Sequence, residues 1–151
     1  MKNVKIGLLP LYIQLYDDHS GHMRPGVEGY LASVKESLTK EGAEIVAADI
    51  CRVKSEFKAA IESFERAEVD AIVTLHLAYS PSLESVEAVC GTSLPIIILD
   101  TTRDYCFDFN IAKGSTSYNH GIHGVQDFCN LLKRHGKDYS IFGFKENHKT
   151  C

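Results

Sequence analysis

Along the 151 residues, short apolar runs rich in β-branched side chains alternate with stretches whose apolar positions recur at helical spacing. Residues 4–9 predict a first strand, stopped by Pro10. Val27, Tyr30, Leu31, Val34 and Leu38 then mark a helix, with Pro25 near its start and Gly42 just past its end. A second strand is expected over 44–48. Phe57, Ala60, Ile61 and Phe64 form one face of the next helix, capped by Ser55 or a neighbour. The third strand spans 71–75, and Ser80-Pro81 opens a helix that turns Leu83, Val86, Val89 and Cys90 inward. Residues 95–99 are apolar on both faces, which predicts a buried fourth strand. The stretch 100–119 has no clear period and reads as a long functional or ordering loop. A last helix carries Val125, Phe128, Cys129 and Leu132 inward, ends near Gly136, and leads to a fifth strand over 139–144.

Strands alternating with amphipathic helices are the signature of βαβ units and a parallel sheet. The expected fold is a single α/β domain over residues 1–151: an open doubly wound, flavodoxin-like or Rossmann-like five-strand sheet in the order 2-1-3-4-5. Too few residues follow Phe144 to build the helix that normally covers the end of such a sheet. The final covering helix is therefore expected to be missing, the sheet incompletely covered, and the chain a fragment of a longer one.

Charge and cysteine usage narrow the function classes. A net charge of -4 argues against a nucleic-acid face, which needs clustered Lys and Arg. The one dense basic stretch, Lys133-Arg134-His135 with Lys137, falls where a helix ends and complements its dipole. Cys51, Cys90, Cys106, Cys129 and Cys151 are odd in number and form no Cys-x-x-Cys pair, which predicts free thiols in a reducing compartment. No apolar run approaches membrane-spanning length or a signal peptide, so a cytoplasmic protein without a membrane partner is expected.

Ligands of open parallel sheets bind beyond the carboxyl ends of the strands. Gln14 and Tyr16 follow the first strand, His76 and Tyr79 the third, Asp100, Thr101 and Arg103 the fourth, while Asn119, His120 and His123 open the last helix. These amide, phenol and imidazole groups suit a polyhydroxylated ligand, which needs paired donors and acceptors. His120 and His123 share a helix face, but without a placed carboxylate the pair favours capping or ligand contact over metal binding. Pro10-Leu11-Tyr12-Ile13-Gln14 lacks the Gly-x-Gly-x-x-Gly of a dinucleotide site, and lacks the Ser/Thr-rich loop of a flavodoxin. His76 stands where a response regulator would place its phosphate-accepting Asp. Asp17-Asp18-His19-Ser20-Gly21 misses the spacing of a cobalamin motif by one residue.

Four segments together resemble the N-terminal domain of the L-fucose and L-arabinose isomerase families. They are Gly7-Leu8-Leu9-Pro10-Leu11-Tyr12-Ile13-Gln14-Leu15-Tyr16-Asp17, Leu75-His76-Leu77-Ala78-Tyr79-Ser80-Pro81, Leu94-Pro95-Ile96-Ile97-Ile98-Leu99-Asp100-Thr101-Thr102 and Asn119-His120-Gly121-Ile122-His123-Gly124. The resemblance implies a domain of a ketol isomerase that interconverts an aldose and a ketose through an enediol. It implies manganese or another divalent metal held by missing C-terminal domains, and a homo-oligomer in which this domain closes a neighbouring subunit's sugar site. It also implies Gln14, Tyr16, His76, Tyr79, His120 and His123 as substrate contacts, with Tyr79 an aromatic wall. No catalytic residue, metal ligand or cofactor site is assigned within the chain, which is expected to be inactive alone. The alternative is a stand-alone, non-catalytic sugar-binding or regulatory α/β module.

Overall fold

The computed structural model describes residues 3–104 and 110–143. Residues 105–109 of the long loop and the expectations placed on Phe144 and the segment after it lie outside the described residues. Five parallel strands, β1 (Lys5–Leu11), β2 (Glu44–Ala47), β3 (Ala71–His76), β4 (Ile96–Asp100) and β5 (Tyr139–Gly143), form one sheet in the order β2-β1-β3-β4-β5. The helices are α1 (Gln14–His19), α2 (Arg24–Lys40), α3 (Lys54–Arg66), α4 (Ser82–Gly91), α5 (Ser115–Tyr118) and α6 (Gly121–Arg134). This is the expected doubly wound α/β fold. Among the described residues no helix is long and apolar enough to cross a membrane.

Alternation along the strands divides the core in two. Leu9, Leu11, Ile72, Ile96 and Ile98 face α3, α4 and α6, meeting Phe57, Phe64, Val86, Val89, Val125, Phe128 and Leu132. Leu8, Val73 and Leu75 face α2, whose Val27 is buried and whose Tyr30, Leu31, Val34 and Leu38 pack beside it. Gly7 lets the α3 side of the sheet close. A Cβ there would stand 2.8 Å from Cγ of Phe64, so the ring uses the space that glycine leaves.

Several local expectations are corrected. Pro10 does not stop β1. Leu8 and Tyr12 engage the β2 side of the chain through Ala48 N to Leu8 O and Tyr12 N to Cys51 O, each 3.0 Å. Pro10 shares that side but lies past the last β2 pair, Leu8 with Ala47, so its missing N–H deletes no bond of the ladder. Ser55 does not cap α3: Val53 holds the cap position, and the Glu56 carboxylate reaches back to accept from Arg52 N (2.6 Å) and Val53 N (3.4 Å). Leu83 points outward at 66% exposure, because Ser82, Ser85, Val86 and Val89 form the inward face of α4. In β4, Ile96 and Ile98 are buried but Ile97 and Leu99 only partly so. At β5 the sheet is incompletely covered on both sides, Ile141 being exposed on the α6 side and Phe142 on the α2 side.

At the amino end of the sheet, three connections meet around Thr92. Its hydroxyl donates to Glu65 Oε1 (2.7 Å) at the end of α3 and accepts from Leu94 N (3.3 Å). Lys137, just after α6, donates to the Thr92 and Leu94 carbonyls at 2.5 and 3.1 Å.

Candidate functional site

The carboxyl edge of the sheet gathers the polar groups that the sequence singles out, in two neighbourhoods. In the first, β3 delivers His76 to the α6 side of the sheet, beneath the first turn of that helix. Gly121 and Gly124 allow the approach: a Cβ on Gly121 would meet the His76 carbonyl at 2.8 Å, and one on Gly124 would stand 3.4 Å from His76 Nε2 and 3.3 Å from Ser80 N. The His76 ring packs 5.7 Å from that of Phe128. Above it, Tyr79, His120 and His123 form a chain of rings, with centroids 5.9 Å apart for the first pair and 4.4 Å for the second. His120 occupies the cap position of α6 but makes no side-chain capping bond, so the capping role considered for it is not observed.

The buried layer under these rings is polar where the rest of the face is apolar. Thr74, His76 and Ser80 are at most 2% exposed, and Thr74 Oγ1, both His76 ring nitrogens and Ser80 Oγ have no hydrogen-bond partner among the described residues. Burial alone drives the His76 imidazole down to about 3, so the ring is neutral and keeps one acceptor and one donor nitrogen. Such groups are normally satisfied, and leaving one unpaired costs about 1–3 kcal/mol. Sequence reasoning named His76 but missed Thr74 and Ser80. The available signal was a hydroxyl at an inward position two residues before His76 in an otherwise apolar strand.

The second neighbourhood holds Gln14 and Tyr16 on α1. Gln14 is exposed at the first position of the helix. The Tyr16 ring lies 5.9 Å from that of Tyr12, which is fully buried and whose hydroxyl is pushed up to about 12, first by burial and then by Asp17. Asp17 Oδ2 in turn takes Arg52 Nη1 at 2.9 Å and Arg24 Nη1 at 3.3 Å. The six candidates therefore divide: Tyr79, His120 and His123 come together over His76, while Gln14 and Tyr16 stand beside the Tyr12–Asp17 group.

Between the two lies the start of the long loop. Asn119 donates to Asp104 Oδ2 at 2.7 Å and accepts from Asp104 N at 3.0 Å, and the Arg103 guanidinium lies 3.8 Å over the Tyr118 ring. Hydrogen bonding from Arg103 holds the Asp104 carboxyl below its ordinary value, with burial opposing. Asn119 is thus a tie between loop and helix. Two open grooves flank the edge. One of about 790 Å3 runs between α2 and β4, past Tyr30, Val34, Leu99 and Thr101; another of about 760 Å3 passes Arg24, Ile50, Arg52 and Glu56. Neither of these two grooves is lined by the histidines. Among the described residues no three His, Cys, Asp or Glu side chains gather to hold a metal ion. The divalent metal implied by the isomerase resemblance has no fitting donor set there.

No family model matches the chain, and no curated protein does. Among solved structures it is similar to the Escherichia coli transcriptional repressor ascG, at 16% identity over 95% of this chain and 59% of that one, with a TM-score of 0.40. It is also similar to a periplasmic solute binding protein of an ABC transporter from Actinobacillus succinogenes with bound D-allose, at 12% identity over 93% and 58%, TM-score 0.35. A third is the ribose operon repressor protein from Lactobacillus acidophilus, at 16% identity over 97% and 59%, TM-score 0.34. The chain spans about three-fifths of the length of each of these proteins.

None of these is an isomerase, and no family model supports one. The assignment to the L-fucose and L-arabinose isomerase families is therefore corrected, and with it the enediol chemistry and the lid role. Each of the four segments answers a local need of a parallel α/β sheet. Pro10 and Leu11 complete β1, Ser80-Pro81 turns into α4, the 96–99 run packs into the core, and Gly121 and Gly124 admit His76. Segments that satisfy common packing demands recur without common function.

Proposed function

We propose that the chain is a non-catalytic ligand-binding module, sugar-binding or regulatory, whose carboxyl edge receives a polyhydroxylated small molecule at Tyr79, His120 and His123. The observation that supports this reading most is the layer of buried hydroxyl and imidazole groups, Thr74, His76 and Ser80, lacking partners among the described residues beneath the ring cluster. Sugars present both hydroxyls and apolar C–H faces, which match hydrogen-bonding groups set beside aromatic rings. Gln14 and Tyr16 would extend the same edge toward a larger ligand. Cys51, Cys90 and Cys129 are free thiols, which supports a reducing, cytoplasmic setting; burial first, then Glu56, pushes Cys51 up to about 12 and makes it unreactive.

Calorimetric titration with a panel of aldopentoses and aldohexoses, D-ribose and D-allose included, tests the proposal. Saturable binding of at least one sugar is expected, weakened tenfold or more by Tyr79→Ala and His123→Ala, with circular dichroism unchanged. Absence of binding across the panel, or binding indifferent to both substitutions, refutes it.

A further inference from the structure

β5 is an end of the sheet: β4 pairs with it on one side, and among the described residues no strand pairs with it on the other. Alternate residues of such a strand direct their amide and carbonyl groups outward, a ready template for another strand. Natural edges are usually blunted by charge, proline or a bulge. The opposite edge, β2, is short and carries Glu44, whose carboxylate lies 3.4 Å from Lys5 Nζ. β5 has none of these devices. Its residues, Tyr139-Ser140-Ile141-Phe142-Gly143, are uncharged, and Ile141 and Phe142 are 49% and 58% exposed.

Those two side chains lie on opposite faces of the sheet. Ile141 pairs with Ile98, on the α6 side, and Phe142 with Leu99, on the α2 side. A helix laid on either face would cover only one of them. A strand added alongside shields both through cross-strand contacts.

β5 is also its own complement. A two-fold axis perpendicular to the sheet keeps each face continuous between copies, so permitted antiparallel registers differ by two residues. The register centred on Ile141 engages all five residues. It sets Ile141 against Ile141, Phe142 against Ser140 and Tyr139 against Gly143, so each aromatic ring meets a small residue, a pairing known to rescue edge glycines.

We propose that β5 is a homodimerisation edge, through which two copies of the chain join antiparallel about Ile141 into one continuous sheet. Sedimentation of the full chain over a rising concentration series is expected to show its mass doubling. Ser140→Lys and Ile141→Lys, which install the missing edge charge, are expected to hold it at the monomer mass with far-ultraviolet circular dichroism unchanged. Under mild oxidation Ile141→Cys is expected to form a covalent dimer, since paired Cα atoms across an antiparallel ladder fall within disulfide reach. The wild type and Glu44→Cys on the other edge set the background. A chain that stays monomeric at every concentration overturns the proposal and leaves β5 to a strand of another protein. A dimer that survives both lysines also overturns it, because it uses another surface. If the lysine variants fail to fold, crosslinking decides: no covalent dimer above background at position 141 overturns it.

Discussion

His76 sits directly under Gly124, where a Cβ would stand 2.7 Å from Cδ2 of the imidazole. Because the ring is pinned between that helix turn and Phe128, it has no room to retreat. Gly124→Ala is expected to destabilise the fold by about 1–3 kcal/mol through overpacking. Gly29→Ala supplies the contrast. That glycine lies exposed in α2 with nothing within 4 Å of an added Cβ, so the change is expected to stabilise by about 0.5–1 kcal/mol. Urea denaturation of the two variants checks both signs.

The same histidine ties stability to pH. Burial lowers its folded-state value to about 3, whereas the unfolded chain titrates near the ordinary 6.5. Between those values the unfolded state holds a proton that the folded state refuses. The contribution is present in full above 6.5 and is lost progressively as pH falls toward 3, with a slope of at most about 1.4 kcal/mol per pH unit. Thermal melts from pH 7 to 5, above the range where carboxylates titrate, are expected to show this decline and to show it flattened in His76→Leu. An unchanged slope in that variant would assign the decline elsewhere.

At the start of α3 the cap is built by Glu56 rather than by a hydroxyl. Burial raises its carboxyl, but hydrogen bonds from Arg52 outweigh that and hold it below the ordinary value. Glu56→Ala removes the acceptor for Arg52 N and for Arg52 Nη2 (2.6 Å), and an expected loss of about 1–2 kcal/mol allows for its partial exposure. Ser55→Ala is expected to be nearly neutral. Equal losses in the two variants, measured by chemical denaturation, would restore the hydroxyl cap.

Thr92 offers a fourth test. Its hydroxyl both donates to Glu65 and accepts from Leu94 N while the residue is buried, so Thr92→Val leaves a main-chain donor without its acceptor. A loss of about 1–3 kcal/mol is expected, read as a lowered denaturation midpoint.

The sheet order, the five strands and the four longest helices were legible because apolar period and β-branching report burial directly. The Phe57–Phe64 face and the Val125–Leu132 face are the clearest cases. α1 was not legible: six residues give too little periodicity, and none of them is buried. Pro10 misled because its meaning depends on which neighbour its nitrogen faces, a property of register rather than of local sequence. At the site, His76, Tyr79, His120 and His123 could be placed at strand and helix ends, so their meeting was foreseeable. The unpartnered layer was not, since Thr74 and Ser80 look ordinary until the fold buries both completely, Gly124 lying close to Ser80 N. The isomerase resemblance failed for a related reason, in that its segments encode packing and not chemistry.

Glu65, Thr92, Leu94 and Lys137 lie where α3, α4 and α6 end and tie the three helices together there, while at the opposite end Lys54 N of α3 donates to Glu84 of α4 at 3.1 Å. Between the starts of α4 and α6 the seam holds polar side chains that bond weakly or not at all: Ser82 Oγ reaches the Gly124 carbonyl at 3.5 Å, and Ser80 Oγ has no partner among the described residues. The seam between α4 and α6 is therefore fastened firmly by Lys137 at the amino end of the sheet and only by one long hydroxyl bond beside the histidines.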